Sequence, residues 1–373
     1  MEFIDLKTQY QCLKERIDQR IHKVLDHGHY IMGPEVQELE IELANYVGVK
    51  YAITCANGTD ALQLAMMAFE IGEGDAVFVP TFTFFATAEV VSFAKATPIF
   101  IDSDAQTFNI DPEKLEEEIL KTIREGKLVP KAIIAVDLFG LPADYPKIEA
   151  IAKKYNLKLI EDAAQGFGGS INGKMAGSFG DIATTSFFPA KPLGCYGDGG
   201  AIFTNDDNLA DLLRSYRVHG KGIDKYDNIR IGVNSRLDTI QAAILLEKLA
   251  AFPHELQLRN EAAKAYTEAL NKKFITPFVP DGYVSSWAQY TIVSNDRDAL
   301  MATLKGNGIP SMIYYSKCMH EQTAFLNLNQ KGLAVAERLS GNVFSLPMHP
   351  YLEKHDLSRI SEVLLSCTVD DAQ

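Results

Sequence analysis

Short apolar runs alternate with helical periodicity along the first 250 residues of the chain. Strand-like apolar runs occupy positions 51–56, 76–80, 98–101, 132–136 and 157–160. Between them, apolar residues spaced three and four apart predict helices at 59–69, 87–94, 111–124 and 145–155. Strands that alternate with helices indicate an α/β domain with a largely parallel sheet.

The pattern changes near Phe252-Pro253. Helical spacing at 238–249 and again at 255–270 predicts two helices flanking the proline. Beyond them, short helices and strands are mixed. We therefore expect a large domain at 1–250, which includes an N-terminal helical segment, and a smaller α+β domain at 251–373.

Composition and charge narrow the class of protein. Hydrophobic residues make up 47% and charged residues 23%, as in a soluble globular chain. The net charge of −13 speaks against a general binder of nucleic acids or anionic membranes. The five cysteines show no paired spacing, the first residues lack the apolar core of a signal peptide, and no apolar run approaches ~18 residues. We expect a cytoplasmic protein without a metal site and without a nucleic-acid or membrane partner.

The first candidate for chemistry is the turn Asn57-Gly58-Thr59, which ends a predicted strand and opens a predicted helix. Free backbone N–H groups at a helix start suit a phosphate. Taken alone, the pattern also describes a capped turn that binds nothing. It matches neither GxGxxG nor a Walker loop, which disfavours NAD and ATP.

Asp162 and Lys191 each follow an apolar strand, at the edge where parallel sheets bind ligands. A carboxylate there can keep a heteroaromatic nitrogen protonated, and a lysine among apolar neighbours becomes available as a nucleophile. Individually, Asp162 is also typical of a helix cap and Lys191 of a surface lysine. Together with the phosphate turn, an Asp and a Lys 29 positions apart (191 − 162) match the requirements of pyridoxal phosphate.

The chain also resembles a known family over nearly its whole length: the pyridoxal-phosphate-dependent nucleotide-sugar aminotransferases of the DegT–StrS type. The motifs that carry the resemblance are spread in order along the chain, at 33–36, 57–62, 83–88, 161–165, 186–191, 217–220 and 232–237. The resemblance implies the aspartate-aminotransferase-like fold type I, with a large domain containing a mostly parallel mixed sheet. Relatives that carry His in place of the lysine are dehydratases, so Lys191 favours aminotransfer.

The resemblance also implies roles for individual residues. Lys191 would form the Schiff base with the cofactor, Asp162 would pair with its pyridine nitrogen, and Gln165 would contact its ring hydroxyl. The remaining cofactor contacts would hold the phosphate or stack on the ring, and are Gly58, Thr59, Ser186, Phe84 and Asn234. Asn234 would reach the phosphate from the neighbouring subunit, which implies a homodimer with shared active sites.

Within the family, the runs 186–200 and 345–350 most resemble enzymes of bacterial surface polysaccharide biosynthesis. These aminate a UDP-linked 2-acetamido-3-keto hexuronic acid with L-glutamate as donor. Arg236 is a candidate for the substrate carboxylate, or else forms a structural ion pair. Tyr314 and Tyr315 are candidates for the sugar site, but Tyr314 stands where relatives often have His.

That departure keeps other substrates open. UDP-3-oxo-GlcNAc, which lacks the C6 carboxylate, is one alternative, and a dTDP-keto-deoxysugar aminated at C3 or C4 is another. A pyridoxal-phosphate protein of the same fold that is not an aminotransferase, such as a dehydratase, an epimerase or a regulator, is the third. A regulator would need a DNA-binding segment, and the sequence shows neither a helix-turn-helix pattern nor a basic extension.

Overall fold

A seven-stranded mixed sheet forms the centre of the computed structural model, which describes residues 1–224 and 226–367. The described strands are β1 (Tyr51–Cys55), β2 (Asp75–Pro80), β3 (Thr97–Ile101), β4 (Val129–Val136), β5 (Lys158–Asp162), β6 (Ser170–Ile171), β7 (Lys174–Met175), β8 (Ile182–Ser186), β9 (Gly200–Thr204), β10 (Tyr283–Val284), β11 (Tyr290–Val293) and β12 (Val343–Leu346). The central order is β1-β9-β8-β5-β4-β2-β3. Strand β9 runs antiparallel to β1 and β8, and the other neighbours are parallel.

Helices cover both faces of this sheet. The described α-helices are α1 (Leu6–His27), α2 (Pro34–Val47), α3 (Gly58–Ala68), α4 (Ala86–Phe93), α5 (Pro112–Glu125), α6 (Tyr145–Tyr155), α7 (Asp207–Tyr216), α8 (Thr239–Leu270), α9 (Arg297–Gly306), α10 (Ala334–Asn342) and α11 (Lys354–Ser366). Helices α3, α4 and α7 pack on one face, and α2, α5, α6 and α8 pack on the other.

Burial on both faces explains why a strand such as β2 is apolar without alternation. In β2, Val77 and Val79 face the helices of one side, whereas Ala76 and Phe78 face those of the other. Strands enclosed in this way are expected to be continuous apolar runs. The prediction of an α/β fold with a largely parallel sheet is confirmed.

The prediction of two helices around Pro253 was wrong. Helix α8 runs without interruption from Thr239 to Leu270 and contains the proline. Before Pro253, its apolar side chains belong to the core beneath the main sheet, and after it they belong to a second core. This packing at both ends offsets the hydrogen bond that a proline removes, a cost of about 3 kcal/mol.

The second core lies around the antiparallel pair β11–β12, with α9, α11 and the last turns of α8. A small three-stranded sheet, β10-β6-β7, joins residues from both parts of the chain. Because α8 crosses residue 250, the division into 1–250 and 251–373 stays a prediction. Within the described residues, no helix has the length and apolar character needed to cross a membrane.

Candidate active site

Four chain segments meet at one edge of the central sheet. Strand β5 ends at Asp162 and its parallel neighbour β8 ends at Ser186, so both ends lie on the same side. Strand β9 begins there at Gly200, opposite Ser186 and Cys55. The end of β1 and the start of α3 are thereby placed beside Ser186. This edge is where ligands bind in sheets of this kind.

The start of α3 forms a cradle with Ser186. A Cβ on Gly58 would lie 2.7 Å from the Ser186 Cβ, so only glycine permits this approach. The Asn57 side chain caps the helix by accepting from the Asp60 N–H at 2.8 Å. In the described chain, the N–H groups of Gly58 and Thr59 have no acceptor. Free helix N–H groups next to a serine hydroxyl suit an anionic phosphate.

Asp162 is buried beside the cradle, with 6% of its surface exposed. Its carboxylate accepts from the Ala164 N–H at 3.1 Å and from the Thr87 hydroxyl at 3.4 Å. Burial raises the pKa of Asp162, against the opposing effect of that N–H and of the Lys191 cation. A cationic ligand group would stabilise the ionised carboxylate further.

Lys191 follows β8, and its ammonium group interacts electrostatically with the Asp162 carboxylate. Burial lowers the pKa of Lys191, while the Asp162 carboxylate works in the opposite direction. An amine whose charge is disfavoured has a larger neutral fraction at neutral pH, and the neutral amine is the nucleophile. The structure therefore brings the two predicted catalytic residues together.

Gln165 lies deeper in the site and is 3% exposed. Its Oε1 accepts from the Phe139 backbone N–H at 2.7 Å, and its Nε2 donates to the Tyr315 hydroxyl at 3.0 Å. Phe84 is 54% exposed, with its ring centroid 6.2 Å from that of Tyr315. An exposed aromatic ring beside these polar side chains can stack on a planar ligand.

The remaining predicted residues lie nearer the surface. Asn234 is exposed and Arg236 is half-buried. Between them, Ser235 accepts from the Ala56 N–H at 3.1 Å, which places this segment beside the cradle. Tyr314 is half-buried between the rings of Tyr315 and Phe3.

Two residues that hold the site's side chains in place by hydrogen bonds were not assigned roles from sequence. Thr87, which donates to Asp162, lies within the noticed motif 83–88, and that motif is the only signal for it. Ser286 donates to the Gln165 carbonyl oxygen at 2.6 Å from 121 residues away, and no local pattern marks it. Among the described residues, no group of three His, Cys, Asp or Glu side chains could hold a metal ion.

Comparison with known sequences gives matches over almost the full length. The DegT/DnrJ/EryC1/StrS aminotransferase family matches residues 11–365. A UDP-2-acetamido-2-deoxy-3-oxo-D-glucuronate aminotransferase of Pseudomonas aeruginosa is 48% identical over 98% of this chain and 99% of its own. A UDP-N-acetyl-3-dehydro-alpha-D-glucosamine 3-aminotransferase of Acidithiobacillus ferrooxidans is 44% identical, over 97% and 96%.

Solved structures agree with the sequence comparison. A DegT DnrJ EryC1 StrS aminotransferase from Brucella abortus superimposes with a TM-score of 0.96, at 54% identity and with 98% of each chain covered. NtdA from Bacillus subtilis, with bound cofactor PMP, superimposes with a TM-score of 0.87 at 30% identity. The alignment covers 97% of this chain and 82% of NtdA.

Proposed function

Because the chain belongs to the DegT/DnrJ/EryC1/StrS aminotransferase family, we propose that it is a pyridoxal-phosphate-dependent nucleotide-sugar aminotransferase. It moves an amino group from L-glutamate to a UDP-linked 3-keto sugar, with UDP-2-acetamido-2-deoxy-3-oxo-glucuronate as the first candidate. The observation that carries the proposal is the phosphate cradle of Gly58 and Ser186 beside the buried Asp162, whose carboxylate interacts electrostatically with Lys191. The 48% identical relative supports the choice of sugar.

The residues present fit pyridoxal phosphate. Gly58, Thr59 and Ser186 would hold the phosphate, Asp162 the ring nitrogen and Phe84 one face of the ring. When bound, this cofactor supplies an aldehyde that binds amines and a ring that accepts electrons from the substrate's α-carbon. The fold and a relative with bound PMP support the same cofactor.

Each half-reaction depends on what Lys191 and Asp162 do. The Lys191 Nζ would hold the cofactor covalently and, once a substrate amine has taken its place, would move a proton to or from the substrate carbon. Asp162 would keep a proton on the ring nitrogen by holding a negative charge next to it. The same two residues would serve both glutamate and the keto sugar.

Arg236 supports a substrate with a carboxylate. It forms no ion pair or hydrogen bond with any residue in the described ranges, which weighs against the alternative that it is structural. A guanidinium that is half-exposed and unpaired can bind a carboxylate through two parallel hydrogen bonds. The second candidate, UDP-3-oxo-GlcNAc, lacks that group, and the 44% identical relative favours it.

The active sites are shared within a homodimer in this proposal. Asn234 is exposed and ends the segment 218–234, whose ends pair at Val218 and Asn234. Within this segment, Ile223 and Ile231 are almost fully exposed, which is costly for isoleucine unless another surface covers it. We place the enzyme in the cytoplasm, which its unpaired cysteines support.

The decisive experiment follows the cofactor through one half-reaction. Purified protein is expected to be yellow, and L-glutamate is expected to bleach it while releasing one equivalent of 2-oxoglutarate. Lys191→Ala should retain no cofactor after borohydride treatment and dialysis, whereas Lys127→Ala, which removes an exposed lysine, should label like the parent.

Mass spectrometry then identifies the acceptor. Bleached enzyme is mixed with UDP-3-keto sugars that carry or lack the C6 carboxylate and with dTDP-keto-deoxysugars. Return of the yellow colour with a new amino sugar identifies the substrate class. If glutamate never bleaches the protein, the aminotransferase proposal fails. If it does but no sugar restores the colour, only the sugar assignment fails.

A further inference from the structure

We infer that Tyr315 is a positioning residue, which holds the Gln165 amide ready to donate a hydrogen bond to the cofactor's ring oxygen. The inference rests on the proposed function, since it concerns the same pocket. It departs from the sequence prediction, in which Tyr315 contacts the sugar. The carrying observation is the hydrogen bond from Gln165 Nε2 to the Tyr315 hydroxyl at 3.0 Å.

The orientation of the Gln165 amide is determined by its other partner. A backbone N–H can only donate, so the atom that faces the Phe139 N–H at 2.7 Å must be the amide oxygen. The NH₂ end then faces Tyr315. That group carries two hydrogens and spends one on the Tyr315 oxygen, so the second is left for a ligand.

Tyr315 is suited to this task because its hydroxyl stays neutral and its half-buried ring packs against other aromatic rings. Burial raises the pKa of Tyr315 well above its ordinary value, so the oxygen accepts a hydrogen bond without carrying charge. The ring lies against three others, with centroid distances of 6.4 Å to Phe82, 6.2 Å to Phe84 and 5.8 Å to Tyr314. The hydroxyl therefore has little freedom to leave Gln165.

The same part of the chain also fixes the backbone around Gln165. The Ser286 hydroxyl donates to the Gln165 carbonyl oxygen at 2.6 Å, and the Ser286 N–H donates to the Gly140 carbonyl at 2.9 Å. Gln289 donates from its N–H to the Phe139 carbonyl at 3.3 Å. Residues beyond position 280 thus hold Gln165 in three ways. Ser286 binds its main chain, Gln289 binds its neighbour Phe139, and Tyr315 binds its side chain.

Removing the Tyr315 hydroxyl should therefore change both the titration and the affinity of the bound cofactor. In Tyr315→Phe, the Gln165 NH₂ loses one acceptor while the aromatic contacts remain. A ring oxygen that loses a well-placed donor holds its own proton more tightly. The pH at which the bound cofactor's visible band changes should rise by about half a unit, and the cofactor's dissociation constant should rise about fivefold.

A double-mutant cycle tests whether Tyr315 acts through Gln165. The holoenzymes to compare are the parent, Tyr315→Phe, Gln165→Ala and the double variant, with Tyr314→Phe as the matched control. Tyr314 has no hydrogen bond to Gln165, so its variant should leave the absorbance titration unchanged. We expect Tyr315→Phe to shift the titration in the parent background and to add less than a tenth of a unit in the Gln165→Ala background.

Each outcome decides the question. If Tyr315→Phe keeps the parental titration and cofactor affinity but raises KM for the keto sugar, Tyr315 is a substrate ligand and the inference is overturned. Equal shifts in both backgrounds would overturn it as well. Should Tyr315→Phe not fold, Tyr315→Met, which also removes the hydroxyl, is measured instead, with the same shift expected and no shift counting against the inference. A parent protein without a visible cofactor band would instead reject the proposed function.

Discussion

At the residue scale, the least expected feature is a pair of buried carboxyl groups next to Asp162. Asp137 and Glu161 are both completely buried. Asp137 Oδ1 accepts from the Tyr145 hydroxyl at 2.8 Å, and Glu161 accepts from the N–H groups of Gly177 and Phe179, both at 2.7 Å. Burial raises the pKa of Asp137 to about 7 and raises that of Glu161 as well. The pair therefore shares a proton at neutral pH.

This proton makes stability depend on pH. Unfolded Asp137 would lose it near its ordinary pKa of 3.8, whereas the folded protein keeps it up to about 7. The folded state thus binds more protons in that window. The free energy of unfolding therefore falls as pH rises, by up to ~1.4 kcal/mol per pH unit, and levels off above pH 7.

Asp137→Asn should lose this dependence of the unfolding free energy on pH. Urea unfolding at pH 5, 6, 7 and 8 measures it, with Asp211→Asn at an exposed site as control. Parallel profiles for the parent and Asp137→Asn would contradict the shared proton.

Residues that carry chemistry at strand ends were predictable, whereas their supports were not. Asp162 and Lys191 stand out because a charged group directly after an apolar strand is a local pattern. The partners of Gln165 are separated from it by 26, 121 and 150 residues. Only the packing of the folded chain brings such positions together, so no spacing rule reveals them.

At the element scale, Arg217 joins the segment 218–234 to the main sheet. Its buried guanidinium pairs with Glu40 on α2 and donates to the Thr54 carbonyl of β1 at 2.7 Å. Its own carbonyl accepts from the Ser235 N–H at 2.9 Å. Arg217 therefore ties the segment that bears Asn234 to the strand that leads into the phosphate cradle.

Replacing Arg217 should lower the free energy of unfolding. Arg217→Met leaves the Glu40 carboxylate without its cation, and breaking a buried pair in this way costs about 3–5 kcal/mol. Urea unfolding should show that loss, and a Glu40→Gln/Arg217→Met double variant should recover part of it because no buried charge is left unpaired. Arg214→Met, one helical turn earlier and 40% exposed, should change stability by less than about 1 kcal/mol. A loss as small as that for Arg217→Met would show that the pair does not anchor the segment.

The hydrophobic pattern predicted which strands and helices are present, but it did not predict that one helix continues through Pro253. The doubly buried part of β4, residues 132–136, is visible as an unbroken apolar run. Pro253 predicts a break because proline removes a backbone donor, yet α8 continues through it. The two cores that α8 joins become visible only when tertiary packing is known, and that packing outweighs the local signal.

At the scale of the whole molecule, the sheet edge, the cradle and the anchored segment form a site that is open where Asn234 and the isoleucines near it project. If a second copy completes the site, assembly and cofactor binding are coupled.

Ile223→Asp/Ile231→Asp should then weaken the dimer at least tenfold in sedimentation equilibrium, because two charges replace apolar surface at the contact. Cofactor affinity should fall in the same variant, and raising the protein concentration should restore both. Ile123→Asp, a single exposed isoleucine on α5, should alter neither. A parent protein that is monomeric at every concentration, or a double variant that dissociates yet keeps full cofactor affinity, would separate assembly from the site and refute the shared arrangement.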